Sequence, residues 1–464
     1  MEIRPTDIDL ERLLRRSLAH GGDFSELYME TRTGTSIVCE AHRIEKFLVT
    51  NECGIGLRVV RGDRSAYAYT NDPGSLDELA DTVASAVKTG RFEGDISLAR
   101  RPTGSMVLSR IDPVTVDPTA KIALVKRAED AAWGMDGSVV QVKVMYGDGS
   151  RNVFIANSRG FIAEDSRDSV IFVVQGIVAR DSLMETGYEP VGGSRGFELL
   201  EEVPPEAIAQ RAISRALRTI QARKAPGGIM PVVLSSEAGG TMVHEAIGHG
   251  LEADLAGEGL SVYSGMIGKQ VASTSVTVID DGSIKGLRGS MGCDDEGTPS
   301  ERTILVENGT LKGFMTDLIT SKKFGYPLTG NGRRETYRHR PIPRMSNTMI
   351  LPGALNPEEI IRKADSGIFV KKMGGGQVNT VTGDFVFNVA EGYLIEHGTL
   401  GEPIRGATLI GNGPKILGSI EHVGSDLGYG IGTCGKDGQG VPVADAQPTL
   451  LIPEITVGGE VQNE

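Results

Sequence analysis

Apolar positions recur at helical spacing near the start of the chain and then change to the alternating spacing of strands. Residues 6–20 carry leucine and isoleucine at intervals of three and four, which predicts an amphipathic helix. Alternating runs separated by glycine-containing turns follow up to about residue 72, a pattern typical of a strand meander. We therefore expect a first group of strands at 26–30, 35–40 and 56–60.

A similar succession of helices and strands follows further along the chain. Ser75, with Glu78 three residues later, predicts a capping box that starts a helix over 75–90. A second helix is predicted over 118–133. A third is predicted from Pro204-Pro205 to about Arg223, since proline is favoured in the first turn of a helix. The strands predicted between the last two helices are 139–146, 152–156, 160–164 and 168–179.

The clearest boundary in the chain is Ala225-Pro226-Gly227-Gly228, because proline and glycine interrupt regular structure. It divides the chain into an N-terminal domain over 1–224 and a C-terminal domain over 229–464. Val232–Leu234 reads as a strand, and Ser235 or Ser236 is expected to cap the helix after it. Beyond residue 270 one short helix is predicted at 356–365. The strands predicted there are 276–279, 303–306, 310–315, 384–389 and 392–396, with Asn308-Gly309 and His397-Gly398 in hairpin-like turns.

The expected fold class is therefore α+β, with a domain of strand meanders and helices followed by a β-rich C-terminal domain. Glycine supplies 62 of the 464 residues, about twice the usual share, which agrees with many tight turns. Four widely spaced cysteines without a C-x-x-C pair argue against a disulfide framework.

Charge and hydropathy exclude two classes of partner. The net charge is −13, whereas nucleic-acid binding proteins normally carry a basic face, so no nucleic-acid partner is expected. No run of 18 apolar residues is present, and the first residues lack the apolar core of a secretion signal. The sequence thus predicts a cytoplasmic protein with no membrane partner.

The candidate chemistry lies in His244-Glu245-Ala246-Ile247-Gly248-His249, which holds two of the seven histidines. Two neutral imidazoles beside one carboxylate are the parts of a hydrolytic zinc site, in which the carboxylate acts as a general base. The sequence therefore predicts that the helix in the C-terminal domain binds zinc.

The spacing of the two histidines differs from the common H-E-x-x-H motif, which places them at i and i+4. Here they stand at i and i+5, about 140° apart around a regular α-helix, and cannot share one tetrahedral ion. A π-type turn would return both imidazoles to one face. We therefore predict a π-bulge near Ile247–His249, made easier by Gly248 and Gly250.

A catalytic zinc site requires a third protein ligand and an open fourth position. Chemistry alone leaves four candidates: Glu252, Asp254, Cys293 and Cys434. Cys434 lies in a glycine-rich loop, and Lys436 is positioned to favour its thiolate.

Several stretches resemble the TldD/PmbA peptidase family across nearly the whole chain and in the same order. The motif itself, continued through Gly250-Leu251-Glu252-Ala253-Asp254, resembles the signature of the catalytic members of that family. The other matching stretches are Gly54-Ile55-Gly56-Leu57-Arg58, Ala66-Tyr67-Ala68-Tyr69, Tyr337 to Thr348, Thr433 to Gln439, Val441-Pro442-Val443 and Gln447-Pro448-Thr449-Leu450.

The resemblance implies an intracellular zinc metallopeptidase. It implies that His244, His249 and Cys434 hold the zinc and that Glu245 is the general base. The non-catalytic sister subunit of the family, TldE or PmbA, lacks the motif, so the resemblance identifies this chain as the catalytic type. It implies a homodimer or a heterodimer with such a sister subunit, and unfolded peptides such as leader segments or labile proteins as substrates.

Residues that contact the substrate are less well marked. Tyr337, His339 and Arg344 carry donors that suit the oxyanion of the reaction. The alternative for the surrounding arginine cluster is a solvated loop, or pairing with Asp294-Asp295-Glu296. A β-rich domain also suits binding of an extended peptide through main-chain hydrogen bonds.

Three competing functions remain open. Dipeptidyl peptidase III-like enzymes use H-E-x-x-G-H with a downstream glutamate, which would be Glu296 or Glu301 here. A non-catalytic peptide-binding subunit would hold zinc structurally, although such a site needs no carboxylate at Glu245. A cysteine nucleophile at Cys434, with His422 as its base, is the third alternative.

Overall fold

The N-terminal sheet is built from unusually long strands. The computed structural model describes residues 4–460 except Lys88, Thr89, Arg91, Glu93, Ser105 and Val107. The strands of this sheet are β1 Phe24–Glu40, β2 Arg43–Arg61, β3 Arg64–Thr70, β4 Ala99–Arg100, β5 Val139–Asn157, β6 Phe161–Arg180 and β7 Leu183–Gly193. They lie in the order β3-β2-β1-β5-β6-β4, and β7 pairs with β6.

Several pairs of predicted strands are continuous in the structure. The predicted strands 26–30 and 35–40 both belong to β1, and the break expected between them is absent. Gly34 lies opposite Gly149 in the β1–β5 pairing, and a Cβ at Gly34 would stand 2.3 Å from the Asp148 carbonyl oxygen. The glycines thus permit a close approach of two strands rather than a turn.

Helices cover the two ends of this sheet. Their bounds are α1 Leu10–Ser17, α2 Leu76–Ser85, α3 Pro118–Trp133, α4 Leu199–Glu202 and α5 Pro205–Gln221. α1 and α2 bury leucines and alanines against one part of the sheet, and α3 and α5 pack against β5, β6 and β7. All four helices predicted for this part of the chain are present, as α1, α2, α3 and α5. Residues 88 and 89, near the end of the predicted helix 75–90, lie outside the described residues.

The predicted capping box at Ser75 is wrong. The Asp72 side chain accepts the Gly74 N–H and caps a 3-10 turn over Pro73–Ser75, which continues directly into α2. The Ser75 hydroxyl instead donates to the Asp72 carbonyl and makes no cap hydrogen bond to the helix. Proline after Asp72 favours this earlier start of the helical backbone.

The C-terminal part is dominated by two further sheets, which confirms the expected α+β class with a β-rich second half. Its helices are α6 Thr241–Val243, α7 Ala253–Gly257, α8 Leu318–Phe324, α9 Pro357–Ala364 and α10 Gly413–Ser419. Its strands are β8 Arg223–Lys224, β9 Gly228–Leu234, β10 Val278–Asp281, β11 Arg302–Glu307, β12 Thr310–Leu311, β13 Gly332–Arg333, β14 Ile342–Pro343, β15 Asn347–Ile350, β16 Gly367–Val378, β17 Asp384–Glu396, β18 Thr399–Arg405, β19 Thr408–Asn412, β20 His422–Val423, β21 Gly428–Lys436, β22 Gln439–Gln447 and β23 Leu450–Gly458.

Two sheets meet around the segment that carries the motif. One has the order β12-β11-β10-β15-β22-β21, and the other has the order β16-β9-β23-β19-β17-β18-β8, with β20 on β23. β16 also pairs with β17, so β16, β9, β23, β19 and β17 form a closed ring. Val243, Ile247 and Leu251 of the motif segment are buried in the large apolar core of these sheets. The segment is therefore held as part of the core.

The predicted turns at 308–309 and 397–398 are confirmed, because all four residues have positive φ angles of 47° to 79°. Both dipeptides thus have the sign of φ that a type I′ hairpin requires.

Buried ion pairs join the N-terminal sheet to the C-terminal part. Arg58 on β2 donates to Glu26 and to Glu296, and Arg334 donates to Glu26. The Arg334 backbone N–H donates to the Asp295 carboxylate, and the Arg334 guanidinium donates to the Asp295 carbonyl. The arginine cluster therefore contacts the acidic stretch at Arg334, whose ion pair is with Glu26. Within the described residues, every helix is too short or too polar to cross a membrane.

Candidate metal centre

The motif stands on a short helical segment that changes geometry twice. α6 ends at Val243, a π-helical turn covers His244–Gly248, and a 3-10 turn covers His249–Leu251. The backbone N–H of His249 donates to the carbonyl of His244, five residues earlier. The two ring centroids lie 5.0 Å apart. The π-type turn predicted from the spacing is therefore confirmed, and it begins at His244 rather than near Ile247.

The two glycines of the motif serve packing rather than an unusual backbone conformation. Gly248 has φ −55° and ψ −56°, which any residue adopts. A Cβ at Gly248 would stand 2.2 Å from the Met345 sulfur, and one at Gly250 would stand 2.7 Å from the Tyr263 ring. Glycine is needed here because fully buried side chains press against the turn.

The third donor, the thiol of Cys434, comes from a segment far from the histidines in sequence. Cys434 lies on β21, which pairs antiparallel with β22. Its Sγ is 3.6 Å from Nε2 of His249. The ligand atoms of His244, His249 and Cys434 all lie within 4.8 Å of one another. This spacing suits three donors around a single ion.

Each imidazole is oriented by a carboxylate on its other nitrogen. Nδ1 of His244 lies 2.8 Å from Asp445, and Nδ1 of His249 lies 3.1 Å from Glu252. Such carboxylate–imidazole pairs fix the ring and direct Nε2 towards a metal. Glu252 is one of the candidate metal ligands from the sequence. In the structure it contacts Nδ1 of His249, whereas Nε2 is the nitrogen that lies near Cys434. Asp445 was missed, because nothing local in the sequence relates it to a histidine 201 residues away.

Lys436 is bound to carboxylates and not to the thiol. Its Nζ lies 3.0 Å from Glu252, 2.7 Å from Asp254 and 3.1 Å from the Pro343 carbonyl. The expected role of Lys436 beside Cys434 is therefore wrong. The side chain links β21 to the segment that follows the motif, and it offsets the charge of the fully buried Glu252.

The electrostatics of the group favour a cation. Burial raises the pKa of Cys434, but the two imidazoles outweigh it and lower that pKa to about 6. Burial opposes charge on His249, but Glu252 and Cys434 outweigh it and raise its pKa to about 10. Asp445 and Cys434 likewise overcome burial and raise the pKa of His244. Three anionic groups around two imidazoles thus stabilise positive charge at their centre.

Glu245 lies at the second position of the π turn and is half-buried. Among the described residues its carboxylate has no hydrogen-bond partner, in contrast to Glu252 and Asp445. A carboxylate that is adjacent to the donors and not engaged elsewhere is available to exchange a proton with water or substrate.

The three residues expected to contact substrate have different surroundings. The Arg344 guanidinium is fully buried and donates to the carbonyls of Cys434 and Gln439. Tyr337 is buried against β2, where a Cβ at Gly54 would stand 2.2 Å from its ring. His339 is half-buried and bonds Thr336. Of the three, Arg344 bonds directly to the backbone of a candidate ligand.

The other residues considered as ligands or bases lie elsewhere. Asp254 bonds Lys436, and Cys293 belongs to a separate buried apolar cluster. Glu296 bonds Arg58, and Glu301 is exposed. His422 lies on β20, where it approaches Glu421 at 3.6 Å. Within the described residues, the group of metal-ligating side chains consists of His244, His249 and Cys434.

Known families and proteins match the chain along its length. Models of the PmbA/TldA metallopeptidase domain 1, central domain and C-terminal domain match residues 25–89, 111–220 and 227–459. The metalloprotease TldD homolog of Buchnera aphidicola subsp. Acyrthosiphon pisum is 37% identical, with 98% of this chain and 95% of the relative covered. The metalloprotease TldD homolog of Haemophilus influenzae is 36% identical, with 94% and 93% covered.

The fold is shared with a solved structure. The crystal structure of TldE from Thermococcus kodakarensis superposes with a TM-score of 0.76 and covers 97% of this chain and 99% of its own. The two sequences are 18% identical, so the likeness concerns the fold alone.

Proposed function

The chain belongs to the PmbA/TldD family of metallopeptidases, and we propose that it is a zinc-dependent peptidase that hydrolyses unfolded peptides. The observation that carries the proposal is the convergence of two imidazoles and one thiol within 4.8 Å, with the unengaged Glu245 next to His244 in the sequence. The convergence joins segments 185 residues apart in sequence.

The donor set fits zinc. Two nitrogen donors and one sulfur donor are typical of zinc sites with an open fourth position. Asp445 and Glu252 engage Nδ1 of the two rings and leave Nε2 free for the ion. Cys434 supplies the thiol, which would bind a metal as its thiolate while the two imidazoles bind it in their neutral form. We therefore propose that His244, His249 and Cys434 hold zinc.

Glu245 carries the proton transfers in the proposed mechanism. When bound, zinc supplies Lewis acidity, which polarises the scissile carbonyl and lets water react near neutral pH. Glu245 takes a proton from the attacking water and delivers it to the leaving amine. The alternative of a non-catalytic peptide-binding subunit with structural zinc gives no function to a carboxylate at this position.

We propose that Arg344 positions Cys434 and does not itself contact the substrate. Its guanidinium donates to the Cys434 carbonyl at 2.5 Å and holds the strand that presents the thiol. His339 and Tyr337 remain proposed substrate contacts, and His339 is the more accessible of the two.

The burial of the ligands supports an unfolded substrate. His244 and Cys434 are 6% and 3% exposed, so a folded protein surface has no access to the centre. A single extended chain is narrower than a folded surface and is better suited to reach buried ligands. Rapid cleavage of a tightly folded protein by the pure enzyme would contradict this part of the proposal.

A dimer with a second copy or a TldE/PmbA-type sister subunit is also proposed. Phe47, Leu48 and Val49 on β2 are 43%, 48% and 60% exposed. β3 pairs only with residues 55–61 of β2, so in the described part of the chain no strand covers the outer edge at 47–49. Val49→Lys should weaken a dimer that uses this edge, as measured by light scattering after gel filtration.

Glu245→Gln tests the catalytic proposal directly. We expect the variant to retain its bound zinc and to lose at least about 100-fold in hydrolysis of an unstructured fluorogenic peptide. Glu237→Gln, an exposed glutamate in the turn before the motif, is the matched control. Wild-type activity in Glu245→Gln would exclude the proposed mechanism. Loss of zinc together with activity would make Glu245 a structural residue instead.

A further inference from the structure

A cavity of about 400 Å³ separates the N-terminal sheet from the β21–β22 hairpin. Its floor is a row of small residues that lie side by side on four successive strands: Thr50, Gly34, Gly149 and Ser169. Thr433 and Pro442, which pair with each other, form its roof. Side chains alternate along a strand, so the cavity lies on the face of β21 opposite the Cys434 thiol.

Two arginines lining this cavity have no carboxylate within ion-pair distance among the described residues. Arg288 donates Nε to the Gly432 carbonyl at 3.1 Å. Arg333 donates to the Pro442 carbonyl at 2.8 Å and to the Met345 carbonyl, and its Nε has no partner. Arg333 is only 4% exposed. Both guanidiniums therefore meet backbone oxygens and lack an opposing charge.

The lining carries charges of both signs, and among the described residues its two arginines without an ion pair are Arg288 and Arg333. Five arginines and three carboxylates line the cavity. Arg32, Arg151 and Arg167 already pair with Glu30 or Asp295. Of the carboxylates, Asp148 pairs with Lys121, Glu335 accepts the Gly440 N–H, and Asp168 lies beside Ser169 on β6. Burial lowers the pKa of Arg333 to about 10 and also lowers the pKa of Arg288. A buried cation without a partner is costly, and an incoming anion removes that cost.

We propose that this cavity binds a carboxylate group, with Arg288 and Arg333 as its cationic walls. The guanidinium fork matches a carboxylate in geometry as well as in charge. The cavity is larger than a single carboxylate and has the size of a site for a small ligand or a peptide residue. The carrier is thus a peptide with either an acidic side chain or a free C-terminus.

The carboxylate site has a direct connection to the candidate metal centre. Arg288 bonds the carbonyl of Gly432, two residues before Cys434 on the same strand. An anion on Arg288 therefore anchors β21 from the face opposite the thiol. Naming a peptide as the carrier rests on the proposed peptidase function, whereas binding of the carboxylate itself does not.

Calorimetry on the full-length protein tests the site without requiring hydrolysis. The probes are N-acetylglutamate methylamide, which has a side-chain carboxylate, and N-acetylalanine, which has a terminal carboxylate. N-acetylglutamine methylamide is the neutral control. We expect at least one charged probe to bind at least about tenfold more tightly than the neutral one, as a charge-assisted hydrogen bond predicts. The charged probe that binds more tightly identifies the source of the carboxylate.

Arg288→Gln should weaken binding of the preferred probe by about tenfold or more, and Arg288→Lys should weaken it less, since it keeps the charge. Arg195→Gln is the matched control, because Arg195 already pairs with Glu202 at 2.7 Å and does not line the cavity. Circular dichroism of each variant confirms its fold.

Equal affinity for charged and neutral probes, or unchanged binding in Arg288→Gln, would overturn the inference. An equal loss in Arg195→Gln would also overturn it, because the effect would then be one of general charge. Failure of the enzyme to hydrolyse peptides contradicts the proposed function alone, since these binding results do not depend on turnover.

Discussion

Glu252→Gln should weaken metal binding without removing any proposed ligand. Glu252 is fully buried, and its Oε2 contacts Nδ1 of His249 at 3.1 Å and Nζ of Lys436 at 3.0 Å. Burial raises its pKa, but Lys436 and His249 outweigh this and lower it to about 2, so the group is charged at neutral pH. Glutamine keeps the size of the side chain and removes that charge.

The magnitude follows from the contacts that are lost. Losing the carboxylate behind a metal-ligating imidazole typically costs 10–100-fold in metal affinity, or about 1.4–2.7 kcal/mol. A hydrogen bond to a charged group contributes about 1.5–3 kcal/mol, which is the same range. Lys436 keeps Asp254 and the Pro343 carbonyl, so the protein should remain folded.

Competition titration with a chromophoric zinc chelator measures the change. Asp254→Asn is the matched control, since Asp254 also contacts Lys436 but not His249. We expect Asp254→Asn to change zinc affinity by less than about threefold, because the imidazole keeps its partner. Asp445→Asn should reproduce the 10–100-fold loss through His244.

Two results would refute this reasoning. Zinc affinity within twofold of the wild type in Glu252→Gln would show that the carboxylate does not orient the ring. Equal losses in Glu252→Gln and Asp254→Asn would assign the effect to the charge around Lys436 rather than to His249.

Three further predictions concern the ligand set, the packing of the motif and the join between the two parts of the chain. Cys434→Ser should lose zinc on dialysis, as measured by plasma mass spectrometry. The control Cys293→Ser changes a cysteine in a separate apolar cluster and should keep about one zinc ion per chain. Gly248→Ala should lower the free energy of unfolding in urea by about 1–3 kcal/mol, because the added Cβ would stand 2.2 Å from the Met345 sulfur; an unchanged midpoint would contradict that packing. Asp295→Asn should lower the free energy of unfolding in urea by about 1.5–3 kcal/mol. It removes the charged acceptor of Arg167 and of the Arg334 backbone N–H, while Arg167 keeps Asp165 and Arg334 keeps Glu26. Burial raises the pKa of Asp295 but its arginine neighbours lower it further, so its contribution should be present above the ordinary aspartate pKa and lost as the pH falls below it.

The sequence was informative where the structure is local. The i, i+5 spacing of His244 and His249 has one geometrical solution on a helix, and the π turn follows from it. The turns at 308–309 and 397–398 were predictable because the residue types that tolerate positive φ are few. Glu252 was considered only as a metal ligand, and its contact with Nδ1 of His249 was not predicted, although a spacing of three residues can put two side chains on one helical face.

The features that the sequence did not predict depend on contacts between residues far apart in the chain. Chemistry alone left both Cys293 and Cys434 open as thiol ligands. The family resemblance selected Cys434, which the structure places 3.6 Å from Nε2 of His249. The breaks predicted within β1 and β5 were wrong because Gly34 and Gly149 face each other across two strands. The sequence alone does not distinguish a glycine that permits two strands to approach closely from a glycine that forms a turn.

The contacts around β21 indicate that the candidate centre is preorganised by the protein. Arg344 holds the Cys434 carbonyl, and Lys436 ties the end of the same strand to Glu252, which in turn orients His249. None of these contacts requires an ion, whereas small zinc domains depend on the metal to fold. The thiol and the imidazoles are thus brought together by buried charges and by the apolar core. Little conformational entropy remains to be lost when a cation enters, so its binding free energy is available for affinity rather than for folding.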